Sequence, residues 1–581
     1  MGFDAIALAA SLDEMNQLLG ATITKIHTTK RSGEVVFSTR GRGSSGDLLV
    51  SIRRDGARIH LTRRHYEHPD HPGSFCMNLR KHILRARVQS FEQVGLDRIA
   101  RIHLEARDEL GFSRPLILVA ETMGRNSNLL LVDPDDEDRI LTAMRFSSAD
   151  RNVHRSVLPG HPYRLPPQRK TIHPARVSVE DLSSLRDPEI PAWLNLVRNI
   201  DGPGPETFRR VLRAAAIDPG GELPGDEMTL RCLVRYINRI GADLNERNWE
   251  PWTHFEAPEE PSNYPRPGEY GFISSELPPE DRVIQWISAP SVLLDRHYAL
   301  SDAIETMEGL AKELRRALES AKESARRKWE HRKKDLARAD CAEEKRICGE
   351  LLTTYMYMVP EGVEEIELPD YYRDGKARKI PLNSRLSPSQ NAAQYFKDYR
   401  RLQRTEKKAK RQLRAAKREI HYIENLFYAL DSATTLTDLQ DLRTELEEAG
   451  YLKDQAPPRR RRRPSPQPKE YVLETGHRVL VGRNSRGNDH LTMRVASPNN
   501  LWFHVKDMAG SHVVLPGDWG EAEPPKEVLE EAAKVAARNS TARDSSNVPV
   551  DYTLVKHVSK PRGAHPGMVI YRNHKTLFVT P

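Results

Sequence analysis

YFKDYRRLQRTEKKAKRQLRAAKREIHYIENLFYAL, residues 395–430, places Tyr395, Tyr399, Leu402, Glu406, Ala409, Leu413, Ala416, Ile420, Ile423, Phe427 and Leu430 in alternating steps of four and three. That spacing predicts a helix whose apolar seam runs straight along it, broken only by Glu406, as in a coiled coil. At the α-helical rise it is about 50 Å long. Its other faces carry Lys397, Arg400, Arg401, Arg404, Lys407, Lys408, Lys410, Arg411 and Arg414, so its seam needs a partner helix. Residues 302–349 supply one. They contain no proline and repeat Ile304, Met307, Ala311, Leu314, Leu318, Ala321 and Ala325, with a register slip near Trp329. Helices joined locally pack as antiparallel neighbours, so the two predict a hairpin. The joining stretch, with strand-like residues 355–359 and 363–368, predicts a small domain at the tip. A dimerisation rod is the competing reading, disfavoured because intrachain pairing has the smaller entropic cost.

A chain of 581 residues is too long for one core and predicts roughly three to five domains. Charged residues make up 30% against 38% hydrophobic, and no run approaches a membrane span, which predicts a protein outside the membrane. The start of the chain lacks a basic segment before an apolar one, so the expected location is cytoplasmic. Cys76, Cys232, Cys341 and Cys348 form neither a paired motif nor a dense framework and read as reduced structural thiols. A net charge of +8 favours a polyanionic partner.

Residues 1–175 read as an α+β domain: a helix over 4–19, strands at 22–27, 34–39, 47–52 and 59–62, and a short helix over 74–84. Pro69 and Pro72 put His65, His68 and His71 in an extended loop that splays the imidazoles, so no metal is expected. Arg80, Lys81, Arg85 and Arg87 form a candidate phosphate-facing patch, with solvated charge the bland alternative. Ala100, Ile102, Leu104 and Ala106 alternate with polar residues, and residues 115–121 make a second, mostly apolar strand. Paired as a hairpin, these strands set Asp97 and Arg98 beside Glu121 and Met123 at one end of a sheet. Two acids and an arginine thus converge on the turn 124–128, which contains Arg125 and Asn128. A surface salt bridge is the structural alternative.

A proline-rich boundary at 158–167 precedes a helical region, 176–250. Residues 197–206, with Gly202 and Gly204, have the turn of a helix-hairpin-helix, whose backbone amides either hold a phosphate or only pack two helices. Residues 251–300 return to the first domain. The remaining expected segments are a coiled-coil arm at 301–350, a middle domain at 351–386, a second arm at 387–450, an Arg/Pro-rich linker at 451–470 and a final domain at 471–581. The linker holds five consecutive arginines, Arg459 to Arg463, and its composition is that of a segment without a packed core. In the last domain Trp502, His504 and His512 lack a nearby nucleophile and acid and read as packing and turn support. Lys506, Lys556, Lys560 and Arg562 are the candidate RNA- and ribosome-facing cations. The predicted fold is therefore multidomain α+β: an N-terminal α+β domain with a helix-hairpin-helix insert, a long antiparallel coiled-coil hairpin tipped by a small middle domain, and a C-terminal α+β RNA-binding domain.

Leu501-Trp-Phe-His504, Gly510-Ser-His-Val-Val514 and Lys560-Pro-Arg-Gly-Ala-His-Pro-Gly-Met-Val-Ile570 resemble the RNA-binding domain of the NFACT family. Gly95-Leu-Asp-Arg98, Met123-Gly-Arg-Asn-Ser-Asn128 and Leu158-Pro-Gly-His-Pro-Tyr163 are similar to its N-terminal domain. Gly349-Glu-Leu-Leu352 and Leu386-Ser-Pro-Ser-Gln-Asn391 match its middle region. The resemblance spans the chain, and its bacterial branch is also described as fibronectin-binding-like. It implies a ribosome-associated quality-control factor. Such a factor binds a large ribosomal subunit, through rRNA and ribosomal proteins, that still carries a nascent chain on peptidyl-tRNA. It recruits tRNA, for alanine in bacteria, and promotes untemplated C-terminal tailing. A small S4-type RNA-binding protein is among the implied partners. The ribosome forms the peptide bonds, so the chain is not expected to be an enzyme or to need a cofactor, in keeping with the missing catalytic constellation. The implied tRNA-binding residues are Asp97, Arg98 and Glu121, with Arg125 and Asn128 beside them. Thr122 departs from the aliphatic residue of the bacterial pattern, and Asn126 replaces a common His.

Two readings from other classes compete. A surface adhesin that binds fibronectin sits badly with the basic charge and the expected location. A glycosylase of the formamidopyrimidine type, similar in its N-terminal fold and helical hairpin, needs a proline amine where this chain has Gly2, and a zinc finger to complete the site.

Overall fold

The computed structural model describes residues 2–581 apart from 44, 109, 148–154, 168–170, 256–266, 277–282, 375, 454–466 and 521. The arginine run 459–463 lies outside the described residues. The chain divides into two compact units, Met1–Ile304 and Glu305–Pro581. Among the described residues, no helix is long and apolar enough to cross a membrane.

The first unit is built on an antiparallel sheet of β1 (Thr22–Thr28), β2 (Glu34–Arg40), β3 (Ser45–Ser51), β4 (Arg58–Thr62), β5 (Arg87–Gln93), β6 (Ile99–Arg107), β7 (Ser113–Glu121), β8 (Asn128–Asp133) and β9 (Arg139–Ala143). Their spatial order is β4, β3, β2, β1, β5, β6, β7, β8, β9. Helices α1 (Ala5–Met15) and α2 (Ser74–Ile83) cover one face. Ala100, Ile102, Leu104 and Ala106 of β6 are buried there, as their alternation requires. The opposite face, near β7 and β8, is covered too, because Val119, Leu130 and Val132 pack on Val157 and Tyr163. Strand β8 is therefore buried on both sides, which accounts for its unbroken apolar run. Strand β9 extends the sheet beyond the point where the sequence pattern stops, because the five-residue strand is too short to show a period.

The first long helix, Pro290–Ala339, begins in this unit. Asp302, near its start, accepts from Arg31 at 2.8 Å, Arg53 at 2.7 Å and Arg64 at 3.2 Å, tying the helix to the sheet by charge-assisted bonds.

In the second unit that helix runs antiparallel to the helix Pro388–Asp431. As the first advances through Arg315, Lys322 and Lys328, its partner recedes through Asp431, Glu424 and Glu419. Ala409, Ala416, Ile423 and Leu430 of the predicted seam are buried, opposite a helix that buries Leu314, Leu318 and Ala325. Tyr422, Leu426 and Ala429 are buried as well, because a further helix, Leu436–Glu448, covers a second face. The start of Pro388–Asp431 follows from its sequence. Ser387 and Gln390 form a capping box, Pro388 occupies the first helical position, and the Asn391 amide donates to the carbonyls of Asn383, Leu386 and Ser387.

Two expectations for the connecting stretch need correction. The first arm does not continue to residue 349: it breaks at 340–341 and a separate helix, Ala342–Thr354, follows. Gly349 sits where a Cβ would come within 3.1 Å of the Phe396 ring, so close helix packing requires glycine there. Residues 355–359 are not a strand. They form a 3-10 turn at Met356–Met358, because the Tyr355 amide still bonds to the Leu351 carbonyl. Among the described residues, the strands paired in this stretch are Glu365–Asp370 and Lys376–Pro381.

The C-terminal part has an antiparallel sheet core with the helix Lys526–Arg538 packed on one face. Strand Leu501–Val505 pairs with Val513–Leu515 on one side and Val548–Leu554 on the other. Glu445, buried on Leu436–Glu448, accepts from the Tyr422 hydroxyl at 2.8 Å. Burial pushes its carboxyl up to about 7, against the lowering effect of that hydrogen bond. A raised folded value means that the stabilisation present below the unfolded carboxyl range is lost as pH climbs through about 7. Glu445→Gln keeps an acceptor for Tyr422 without the charge. Thermal unfolding of the variant should match the parent near pH 5 and exceed it near pH 8, by on the order of 1–3 kcal/mol. Parallel melting curves at both pH values would contradict this.

Candidate nucleic-acid interface

The register places Ile99 opposite Glu121 and Glu121 opposite Asn128, so one end of the sheet gathers the turns at 94–98 and 122–128. Asp97 and Arg98 form the outer part of the first turn, both half-buried. The Asp97 carboxylate accepts from the Arg98 amide at 2.7 Å. Neither side chain makes an ion pair among the described residues. Thr122 holds the turn by its backbone, its amide and hydroxyl donating to the Arg98 carbonyl at 2.9 and 3.0 Å. That gives the residue which departs from the aliphatic pattern a positive role: its hydroxyl supplies an anchor that no aliphatic side chain has.

Glu121 lies behind the turn rather than on it. Its carboxylate is fully buried, accepts from Arg155 at 2.7 Å and 2.5 Å, and accepts from the Tyr163 hydroxyl at 2.9 Å. Burial, followed by the charge of Glu121, holds the Tyr163 phenol well above its usual range. The expected convergence of three exposed charges is thus corrected to two accessible side chains on a buried ionic support. Asn128 is likewise turned inward. Its carbonyl oxygen accepts from the Arg145 and Leu129 amides, and its amide donates to the Arg145 carbonyl. Arg145 in turn donates to the carbonyls of Arg125, Ser127 and Ile52, fixing the second turn. The Arg125 side chain remains exposed on it.

The helical hairpin Ala192–Asn199 and Pro205–Ala214 meets the same end of the sheet. Gly202, at φ +100°, lies where a Cβ would be 3.4 Å from Leu96, so both the backbone angle and the close approach call for glycine. Asp201 faces Asp97. Burial raises its carboxyl, and the Asp97 charge raises it further. The Gly204 amide donates to the Asp4 carboxylate at 2.9 Å. Of the two readings left open for this turn, the packing one fits this amide, since an internal carboxylate occupies it.

Of the other predicted cations, Arg80 donates to the Ile26 carbonyl at 2.8 Å and reaches His27, pinning α2 to β1 rather than facing outward. Lys81 is exposed. In the second unit Lys506 is half-buried, Arg562 is exposed and Lys556 reaches Asn499 at 3.4 Å. Lys560 pairs with Asp489, which also accepts from the Gly567 amide and so closes the loop between them. Arg145, Arg155 and Asp201 were missed by sequence reasoning. Tyr163, inside the motif 158–163, and Asp201, inside the turn 197–206, lay within stretches the sequence marks, whereas Arg145 and Arg155 carried no such signal.

A two-unit α/β chain with paired long helices, an end-of-sheet turn carrying Asp97 and Arg98, and a basic second unit has a make-up suited to meeting RNA. Residues 4–465 match the NFACT N-terminal and middle domains, and residues 469–573 match the NFACT protein RNA binding domain. The chain belongs to the NFACT family. It is 34% identical to the Rqc2 homolog RqcH of Bacillus subtilis, over 100% of this chain and 98% of that protein. It is 32% identical to the RqcH of Streptococcus suis with the same coverage. Among solved structures it is similar to the C-terminal part of the fibronectin/fibrinogen-binding protein of Streptococcus suis, at 34% identity and a TM-score of 0.38, covering 47% of this chain and 95% of that one.

Proposed function

We propose that this chain is a ribosome quality-control factor of the cytoplasm. It engages large ribosomal subunits obstructed by peptidyl-tRNA, recruits tRNA, for alanine in the first instance, and leaves bond formation to the ribosome during untemplated tailing. Family membership and full-length likeness to RqcH proteins support the quality-control role. One observation supports the tRNA reading: neither the Asp97 carboxylate, which bonds the Arg98 amide of its own turn, nor the Arg98 guanidinium makes an ion pair among the described residues, while Thr122 and Asn128 hold the two turns.

A carboxylate there accepts from base amino groups, and an arginine meets a phosphate or a guanine edge. Unpaired loop bases are the part of a tRNA open to such reading, which makes the anticodon arm the target, with Arg125 as a further phosphate contact. Glu121 and Asn128 act as positioning residues. The helical hairpin serves to buttress the turn through Asp201 and Gly202. A small S4-type RNA-binding protein is a candidate partner on the same subunit.

The chain should cosediment with free large subunits, and the association should weaken steeply between low and moderate salt, because each neutralised phosphate releases a counterion. Sedimentation with complete ribosomes only, or association insensitive to salt, would count against the proposal.

A further inference from the structure

The second unit contains a cleft of about 1080 Å³ between the helix Pro388–Asp431 and the C-terminal domain. It exceeds the usual volume of a pocket for one small ligand, ~300–1,000 Å³. One wall is a cationic stripe on the helix, with Lys407, Lys410, Arg411, Arg414, Lys417 and Arg418 lining the space. Of these, Lys410 pairs with Glu406, whereas the other five make no ion pair among the described residues. The stripe spans about 16 Å at the helical rise.

The floor is aromatic. Trp502 is fully buried, stacks on His504 at 5.7 Å and 10°, and meets His512 edge-on at 5.1 Å. Its indole Nε1 donor has no hydrogen-bond partner, and neither has the buried Oδ1 of Asn425 on the facing helix. An unmade donor and an unmade acceptor on opposite sides of one cleft mark a place where a polar ligand completes the bonding.

We infer that this cleft binds unpaired RNA, phosphates along the helix stripe and base edges at Trp502 and Asn425. The cations suit a polyanion, and the floor suits a base, because its polar atoms match exposed base edges while the half-buried rings of His504 and Tyr571 offer stacking surface. A duplex does not satisfy both walls, since its bases are stacked on one another and their Watson–Crick edges are already paired. Asp507 lines the same space and disfavours phosphate at its own position, which leaves the helix side as the backbone track. The inference deepens the RNA-binding reading of the C-terminal domain by making the long helix half of the site. It is independent of Asp97 and Arg98.

The test uses the full chain with a short mixed-sequence RNA carrying 4-thiouridine, as a single strand and as a duplex with its complement. Single-strand crosslinks are expected within 407–425 and 502–512. The variant Arg411→Ser with Arg414→Ser and Arg418→Ser should flatten the slope of log affinity against log salt by about 2, at ~0.7 per lost single-strand phosphate contact. Its melting should stay close to the parent's, because the three arginines are exposed. Trp502→Phe should weaken the single strand roughly three- to tenfold, the loss of one neutral hydrogen bond. If RNA binds but crosslinks only elsewhere, the cleft proposal fails and the family reading stands. If no RNA binds, both fail. Equal affinity for the duplex, or displacement of the RNA by a polyglutamate peptide at equal charge, would also overturn it.

Discussion

Alanine at both Asp97 and Arg98 is expected to strip tRNA from the protein and abolish C-terminal tails on stalled chains, while melting stays within a few degrees of the parent. The stability expectation follows from how the turn is held. Thr122 bonds to the main-chain carbonyl of Arg98, so truncating the side chains leaves both anchors in place. The side chains themselves make no ion pair among the described residues, and their loss should cost on the order of 1 kcal/mol or less. Cosedimentation with large subunits should survive, because the basic surfaces of the second unit are untouched. Normal tRNA recovery with the double variant would place the tRNA site elsewhere. An unfolded double variant would make the two residues structural.

Glu121→Ala should behave in the opposite way. It removes one partner from a buried ionic group and leaves Arg155, itself 10% exposed in its side chain, beside a Tyr163 hydroxyl without its acceptor. Breaking a buried pair from one side costs about 3–5 kcal/mol. Melting of the first unit should fall by roughly 10 °C, given that 1 kcal/mol moves a large domain by ~2–4 °C. Arg155→Ala should reproduce the loss, and tRNA recovery in both should track the folded fraction as temperature is lowered. A Glu121→Ala variant that melts like the parent yet loses tRNA would return the carboxylate to direct contact.

The contrast between these two variants shows what the sequence holds and what it does not. Alternation along 99–107, together with the short turn that joins it to the mostly apolar strand 113–121, fixes the hairpin register, because a one-residue slip would turn the apolar side chains of the first strand outward. That is why Asp97, Arg98 and Glu121 could be brought to one end of the sheet without a structure. Parity also puts Glu121 on the same face as Ile117 and Val119. Whether that face meets water depends on Tyr163 and Arg155, distant in sequence and joined to it only by the fold. The long helices were similarly legible along their seam and not around it. Steps of four and three identify Ala409, Ala416, Ile423 and Leu430, but Tyr422, Leu426 and Ala429 are buried by a helix that follows in the chain and has no register with the seam. Trp502 and the histidines beside it were read as packing, which their burial supports. The orphan indole donor and the cations opposite it come from two segments some eighty residues apart, and no local pattern links them.

The central claim is that this chain brings tRNA to an obstructed large subunit, and sequencing the RNA that crosslinks to the full-length protein in cells tests it most directly. The account predicts two populations, large-subunit rRNA and tRNA well above its background, the tRNA crosslinks falling at Asp97, Arg98 and Arg125. Recovery of rRNA with no tRNA enrichment, or of tRNA crosslinked only outside the first unit, would contradict it.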